Sequence, residues 1–319
     1  MAKNNKKIIT SIGGQALIEG IMMRGPFKTV AAIRTPEGTI INEEIEENTL
    51  SRKYKIFRLP FIRGIASFID SMTLGYKALS ISAEKSLSEE ELEGEQSKFE
   101  KWIEDNLGDK ILNIIMVIAS ILGILLAVAL FIVLPIYLFN LSAGAYPKLY
   151  ESMISRSVFE GILRIILFLI YITLCSQLKD MKRIFQYHGA EHKTIFCYEN
   201  GEELNVENVR KQIRFHPRCG TSFIIIMLIV GIIVGFFIPF ANPILRSIVK
   251  IACFPIIISI GYELIKLCSR HDNILTKIVA APGLWMQRIT TKEPDDSMIE
   301  VAIEAIKAVI PPNGEDILQ

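Results

Sequence analysis

Residues 111–147 contain no Asp, Glu, Lys or Arg, and this charge-free stretch limits the possible folds more than any other feature of the chain. A hydrocarbon layer about 30 Å thick is crossed by roughly 20 apolar residues in a helix. The chain has 319 residues, of which 50% are hydrophobic. Together these features exclude an ordinary soluble enzyme and a disordered chain, and they predict a membrane protein.

Four segments have the length and apolarity of a transmembrane helix. The predicted fold class is therefore an all-α polytopic membrane protein with about four transmembrane helices and a small cytoplasmic α+β N-terminal region. Glu160 and Arg164, four residues apart in the second segment, are expected to pair with each other near a helix end. The predicted spans are residues 111–139, 158–178, 223–241 and 244–268.

The distribution of Lys and Arg orients these spans. Residues 1–110 hold 16 basic residues, residues 179–222 hold eight and residues 269–319 hold five, whereas the 141–157 connection holds two. The positive-inside rule places the three basic segments, and with them both termini, in the cytoplasm. The predicted location is the cell (inner) membrane, crossed several times. The predicted organisation is 1–110, 111–178 (spans one and two), 179–222, 223–268 (spans three and four) and 269–319.

Three features are predicted within the cytoplasmic N-terminal region. Residues 29–46 form two extended runs on either side of a Pro-Glu-Gly turn at 36–38, which indicates a hairpin. Residues 61–85 carry a polar stripe and an apolar face, typical of a helix that lies on the membrane or packs on the spans. The alternative is a fifth, polar-striped span or a re-entrant segment. Residues 86–109 are acidic and weakly patterned, which indicates a linker. The residues of the predicted apolar face are Phe61, Ile65, Phe68, Met72 and Tyr76.

The glycine-rich segment 13–26 lacks the Lys-Ser/Thr pair of a phosphate-binding loop and the strand-to-helix setting of a dinucleotide-binding turn. It is expected to form tight turns that pack near the membrane. Glu19 and Arg24 lie in this segment, and the sequence assigns no role to either residue.

The net charge narrows the possible binding partners, and the cysteine content indicates the state of the thiols. The chain has 35 basic and 34 acidic residues, a net charge of +1, so nucleic acid is not expected as a partner. The expected partner is the lipid bilayer. Its five cysteines are odd in number and have no regular spacing. In the reducing cytoplasm, Cys197 and Cys219 are expected to be free thiols or metal ligands.

The predicted cytoplasmic loop 179–222 contains three of the four histidines and two of the five cysteines. The string HGAEHK at 188–193 places His188 and His192 one helical turn apart, with Glu191 on the same face. Two imidazoles at this spacing can bind one ion, and a carboxylate beside a metal can act as a general base on water. The order H-x-x-E-H also occurs in inverzincin metalloproteases. We therefore predict two metal ligands and a catalytic base, Glu191.

The string HPRCGTS at 216–222 supplies a second pair of candidate ligands. Pro217 and Gly220 predict a turn, which lets His216 and Cys219 converge on one point. Imidazole and thiolate ligands favour zinc over magnesium or calcium, so the expected cofactor is a divalent metal, with zinc preferred. The predicted metal ligands are His188, His192, His216 and Cys219.

The same residues also allow other interpretations. Four protein ligands would form a structural zinc site in which Glu191 only orients an imidazole, whereas three ligands and an open position would indicate catalysis. Alternatively, the histidines are hydrogen-bonded surface or core residues without a metal. Cys197 falls on the opposite helical face, and Glu199 lies about 10 Å farther along the axis than His192, at roughly 1.5 Å per residue. His271 is expected to be an interfacial histidine.

Five sequence blocks spread over nearly the whole chain are distinctive. They are GQALIEGIMMRGP at 14–26, PFIRG at 60–64, HGAEHK at 188–193, HPRCGTSF at 216–223 and APGLWMQRITTKEPDD at 281–296. Together these blocks resemble the bacterial DUF1385 (YqhQ-like) family of membrane proteins. The resemblance implies a metal-dependent enzyme whose 188–193 and 216–222 blocks act as one functional unit, and it implies no particular substrate.

Three functions follow as hypotheses. The first is a metal-dependent hydrolase that acts at the membrane surface, with Glu191 as its base. The second is a non-catalytic membrane biogenesis or scaffold factor with a structural zinc site. The third is a transporter, which the small number of ionisable residues in the predicted spans disfavours.

Overall fold

The structure is a computed structural model, and it describes residues 8–47, 49–86, 109–142, 152–270 and 273–317. His271 lies outside these residues, and so does the acidic linker predicted at 86–109, apart from its two end residues. The described chain is mostly helical, with one small N-terminal antiparallel sheet. It divides into two compact units. Unit 1 comprises Met1–Leu87, Ile172–Ile226 and Ile258–Gln319, and unit 2 comprises Ser88–Tyr171 and Met227–Ile257.

Unit 1 is built on a four-stranded antiparallel sheet in the order β1-β2-β3-β4. The predicted hairpin is confirmed, because its two runs form β3 and β4 and turn at Gly38, whose φ is +84°. The glycine-rich segment forms strands β1 and β2 where turns were expected. The strands are β1 (Gly13–Leu17), β2 (Gly20–Arg24), β3 (Thr29–Arg34) and β4 (Ile40–Ile45).

The two central strands of this sheet, β2 and β3, are buried on both faces. Ile21 and Met23 of β2 point into one core, together with buried residues of the helices Lys179–Glu199 and Asp296–Val309. Met22, which lies between them in the sequence, points into a second core with Leu74 and Ala78 of the helix Ile62–Ser86. Because successive strand residues point to opposite faces, a strand covered on both sides is apolar at every position.

The helices are numbered in chain order, and a 3₁₀-helical turn (Lys55–Arg58) precedes α2. The helices are α1 (Leu50–Lys53), α2 (Ile62–Ser86), α3 (Asp109–Val128), α4 (Leu134–Ser142), α5 (Met153–Cys175), α6 (Lys179–Glu199), α7 (Val206–Lys211), α8 (Gly220–Gly235), α9 (Pro243–Ala252), α10 (Phe254–Arg270), α11 (Ile274–Thr290) and α12 (Asp296–Val309).

Helix α2 confirms the predicted helix at 61–85 but buries a different face. Its buried residues are mostly small, and a side chain added at Gly75 would meet the Gln15 amide oxygen at 2.5 Å. Small residues let the helix approach the sheet closely. Met72 and Tyr76 of the predicted apolar face are 57% and 70% exposed.

The structure supports part of the predicted span pattern. Of the described residues, Ile118–Ser142 and Met153–Cys175 are long and apolar enough to cross a membrane. The third predicted span, 223–241, corresponds to α8, which has only 16 residues and therefore measures about 24 Å, less than the hydrocarbon thickness. The fourth, 244–268, is divided between α9 and α10, which bend by 46° at their junction and count as a third candidate only if they are taken as one span. Four spans are therefore not supported.

Candidate metal centre

Helix α6 carries the HGAEHK string and continues without a break through Gly189. A side chain at this position would place its Cβ 2.0 Å from the Lys292 carbonyl oxygen. The Lys292 N–H donates to the carbonyl oxygen of Phe185, one helical turn before Gly189, at 2.8 Å. Glycine therefore lets the 291–294 segment lie directly against the helix, which explains a residue that is unfavourable in a helix interior.

His188 and His192 meet as the sequence predicts, with ring centroids 4.4 Å apart. The Nδ1 of His188 lies 2.9 Å from the Thr290 carbonyl oxygen, and the Nδ1 of His192 lies 2.6 Å from the Arg214 carbonyl oxygen. A carbonyl only accepts, so each Nδ1 carries a proton and donates it. Each Nε2 of a neutral ring is then unprotonated and has a lone pair for a metal, an arrangement common in histidine ligands.

Cys219 joins the two imidazoles from the end of the 216–219 turn, directly before α8. Its Sγ lies 3.1 Å from the His188 Nε2, and the three donor atoms of Cys219, His188 and His192 all lie within 4.8 Å of one another. Burial raises the pKa of the Cys219 thiol, but the neighbouring His192 and the hydrogen bonds of Thr221 more than offset this effect, so the pKa lies below its ordinary value. Burial, followed by the charge of His188, lowers the pKa of His192. Both directions favour a thiolate beside a neutral imidazole, the forms that bind a metal.

Glu191 lies on the same helix within electrostatic range of His188 and Cys219. Burial, reinforced by Cys219, raises the pKa of its carboxyl to about 7 against the opposing effects of His188 and the Gly14 N–H. The Glu191 Oε2 and the His192 Nε2 are both buried and have no hydrogen-bond partner among the described residues. Such orphaned acceptors fit a site that receives a cation or a proton-bearing ligand.

The structure places His216 outside this three-residue cluster. Its Nε2 lies 3.6 Å from Glu199 Oε2, and its Nδ1 accepts the Arg218 N–H at 3.3 Å. Its ring is tilted by 57° to that of Phe196, with the ring centroids 4.7 Å apart. Glu199 also forms an ion pair with Arg218 and accepts the Thr10 N–H at 3.0 Å. Glu199 therefore anchors the HPRC turn.

Several groups that position the ligands were not predicted from the sequence. The Gln287 side chain binds both sides of the His216 backbone, accepting its N–H at 2.7 Å and donating to its carbonyl at 2.8 Å. Thr290, three residues later on α11, supplies the carbonyl that orients His188. A side chain at Gly14 would meet the Glu191 Cδ at 3.0 Å, so β1 lies directly on the candidate base. The available signal was the occurrence of these residues in the 14–26 and 281–296 blocks.

The remaining candidate residues have other contacts. The Cys197 Sγ points to the Glu203 carbonyl oxygen at 3.5 Å, in the core beside the sheet. Glu19 pairs with Arg183 and accepts the Tyr187 hydroxyl at 3.0 Å. Arg24 forms a two-pronged pair with Glu47, each contact 2.9 Å long.

The fold and the site geometry can be compared with known proteins. The family described as "Protein of unknown function (DUF1385)" matches residues 59–312, and the chain belongs to this family. A relative described as "Uncharacterized protein YqhQ", from Bacillus subtilis (strain 168), is 34% identical over 308 residues, which cover 95% of this chain and 93% of the relative. No solved structure matches the chain.

Proposed function

We propose that this chain is a multi-pass protein of the bacterial inner membrane and a metal-dependent hydrolase that acts at the cytoplasmic membrane surface. His188, His192 and Cys219 would hold a first-row divalent metal, with zinc preferred. The observation that carries the proposal is the meeting of three donor atoms within 4.8 Å of one another. Two of them belong to the helix that also carries Glu191, whose buried Oε2 has no hydrogen-bond partner among the described residues.

The donor set fits such a metal. Two neutral imidazoles and one thiolate are common zinc ligands, and three protein ligands rather than four are typical of catalytic zinc sites. When bound, the metal would supply Lewis acidity that polarises an acyl or phosphoryl oxygen and makes water more acidic. His216, the fourth predicted ligand, lies with Glu199 and Arg218 outside the set, which favours the catalytic over the closed structural site.

Glu191 would transfer the proton in this reaction. Its Oε2 would accept a proton as a water oxygen forms a bond to the acyl or phosphoryl centre of the substrate, and would return that proton to the leaving group as the scissile bond breaks. A buried carboxyl whose pKa lies at about 7 is suited to both steps near neutral pH. The backbone carbonyls of Thr290 and Arg214 would hold the imidazoles of His188 and His192 with each Nε2 free to bind the metal.

Metal content of the purified protein tests the ligand set. We expect about one zinc or similar metal per chain, and we expect His188→Ala and His192→Ala to lose it because each removes one of three ligands. His216→Ala is the matched control, since it removes a neighbouring buried histidine without touching the three donor atoms, and it should retain the metal. Elemental analysis should be accompanied by thermal unfolding to show that each variant is folded.

Two results would contradict this assignment. If folded His188→Ala and His192→Ala both keep the metal content of the parent, the histidines are not ligands and the hydrolase proposal fails with them. If folded His216→Ala loses the metal as completely as the other two variants, the site has four protein ligands, and the structural scaffold becomes the better explanation.

A further inference from the structure

Unit 2 contains a second cluster of ionisable side chains, in an environment that is otherwise almost wholly apolar. Glu160 on α5 has no exposed side-chain area, and three cations contact its carboxylate. The Nε atoms of Arg156 and Arg246 lie 2.9 and 3.0 Å from Glu160 Oε1, and Lys250 pairs with Oε2. Glu160 therefore pairs with these three cations rather than with Arg164, its predicted partner.

The arginines of this cluster are fixed by further hydrogen bonds. Arg246 is 1% exposed and donates to the Ile238 carbonyl at 2.6 Å and to the Ser157 hydroxyl at 2.8 Å. Arg156 donates to the Asn140 side chain at 3.0 Å. The cations are thus held in place rather than extended toward solvent as long basic side chains in apolar helices commonly are.

Arg164 is the fourth cation, and its guanidinium is only partly hydrogen-bonded within the described residues. Its Nε donates to the Phe131 carbonyl at 2.6 Å, within the π-helical turn Ala129–Val133. A π-helical turn shifts the backbone hydrogen bonds and allows a carbonyl to accept from outside the helix. The Arg164 NH2 is buried and has no hydrogen-bond partner among the described residues, and the side chain lies within electrostatic range of Glu160 and Arg246.

The charges of the cluster do not balance. Arg156 apart, three cations, Arg246, Lys250 and Arg164, lie around one carboxylate, an excess of two positive charges among the described residues. The described parts of unit 2, residues 109–142, 152–171 and 227–257, contain one other acidic residue, Asp109 at the start of α3. Buried charges without a counterion are strongly unfavourable, more so in apolar surroundings. Anion binding would relieve this imbalance.

We propose that this cluster binds a phosphate-type oxyanion. A phosphate group carries one to two negative charges and several acceptor oxygens, and the planar guanidinium groups match its geometry with paired hydrogen bonds. The Arg164 NH2 supplies a free donor, and Arg246 and Lys250 supply charge. The shared ligand chemistry is a phosphate group, carried either by an anionic phospholipid or by a soluble phosphate.

The test uses the full chain purified in a neutral detergent, with its thermal unfolding midpoint as the readout. One arm titrates inorganic phosphate at constant ionic strength, with chloride as the replaced anion. The other arm compares bilayer discs of phosphatidylcholine alone with discs that also contain phosphatidylglycerol. A ligand that binds only the folded state raises the midpoint. A rise with inorganic phosphate identifies a soluble ligand, and a rise with phosphatidylglycerol alone identifies a lipid headgroup.

Variants tie the response to the cluster. Arg164→Gln should weaken the anion response about tenfold or more, because it removes the free donor and one charge. Arg210→Gln, which removes an exposed arginine paired with Asp296 in unit 1, is the matched control and should respond as the parent does. If Arg164→Gln does not fold, Arg164→Lys keeps the charge without the guanidinium fork and should give an intermediate response.

The proposal is overturned if neither anion raises the midpoint of the parent. It is also overturned if the folded Arg164 variant responds to the anion as strongly as Arg210→Gln, because the cluster would then be a structural ion-pair network. Neither result depends on the metal centre, whose residues all lie in unit 1.

Discussion

At the scale of single residues, Glu191 decides between an enzyme and a structural metal site. Its carboxylate has one buried oxygen with no hydrogen-bond partner in the part of the chain that the structure describes, and Gln in its place keeps the shape and removes the basicity. We expect Glu191→Gln to retain the fold and the metal but to lower activity about 10²-fold or more, the usual contribution of a general base. Complementation of a deletion strain, measured together with metal content, checks both parts. Full complementation with full metal content would indicate a structural site.

The residues of the site were predictable from the sequence to different degrees. The spacing of His188, Glu191 and His192 places them on one helical face through local geometry alone. The choice between His216 and Cys219 was not predictable, because it depends on contacts of the HPRC turn with Glu199 and Gln287, 17 or more residues away in the sequence. Local patterns do not report the partners of a turn.

At the scale of the elements, the packing of α6 against the 291–294 segment depends on one glycine. Helix propensity alone predicts that Gly189→Ala stabilises the protein by about 1 kcal/mol. The Lys292 carbonyl oxygen, 2.0 Å from the added Cβ, reverses this expectation. Overpacking of this kind costs roughly 1–3 kcal/mol, so we expect the thermal unfolding midpoint of Gly189→Ala to fall by several degrees.

The matched control for this substitution is Gly123→Ala in α3, where the added Cβ has nothing within 4 Å. This variant should leave the midpoint unchanged or raise it slightly, because only helix propensity acts on it. Equal midpoints for the Gly189 and Gly123 variants would show that the close approach to Lys292 does not occur.

The helices and strands that could be predicted are those with a strong local sequence pattern. The hairpin of β3 and β4 has a Pro-Glu-Gly turn, and α2 has helical periodicity. Strands β1 and β2 were missed because glycine disfavours strands, and because β2, buried at nearly every position, lacks the alternation that identifies a strand. The buried face of α2 was missed because its contacts with the sheet require small residues, which carry little hydrophobic signal.

At the scale of the whole molecule, unit 1 brings together segments that the Lys and Arg counts place in the cytoplasm. Strand β1 contacts α6, and α12 contacts both α6 and the sheet. Segments that pack into one core must lie on the same side of a membrane. Two candidate spans separate α2 from α6, and between α6 and α11 the chain contains α8 and the bent pair of α9 and α10. Whether that second excursion crosses the membrane twice or enters and returns, its two ends lie on one side.

The location of α12 therefore tests the predicted topology. Lys307 lies on α12 with a side chain that is 51% exposed, so Lys307→Cys presents a thiol that a labelling reagent can reach. In intact cells, a membrane-impermeant maleimide should fail to label Lys307→Cys and should label Lys148→Cys, in the connection between the first two spans. After permeabilisation both should react, with the parent and its five native cysteines as the background. Labelling of Lys307→Cys in intact cells would place unit 1 outside the cytoplasm, because α12 shares its core with α6, and the proposed metal centre would move with it.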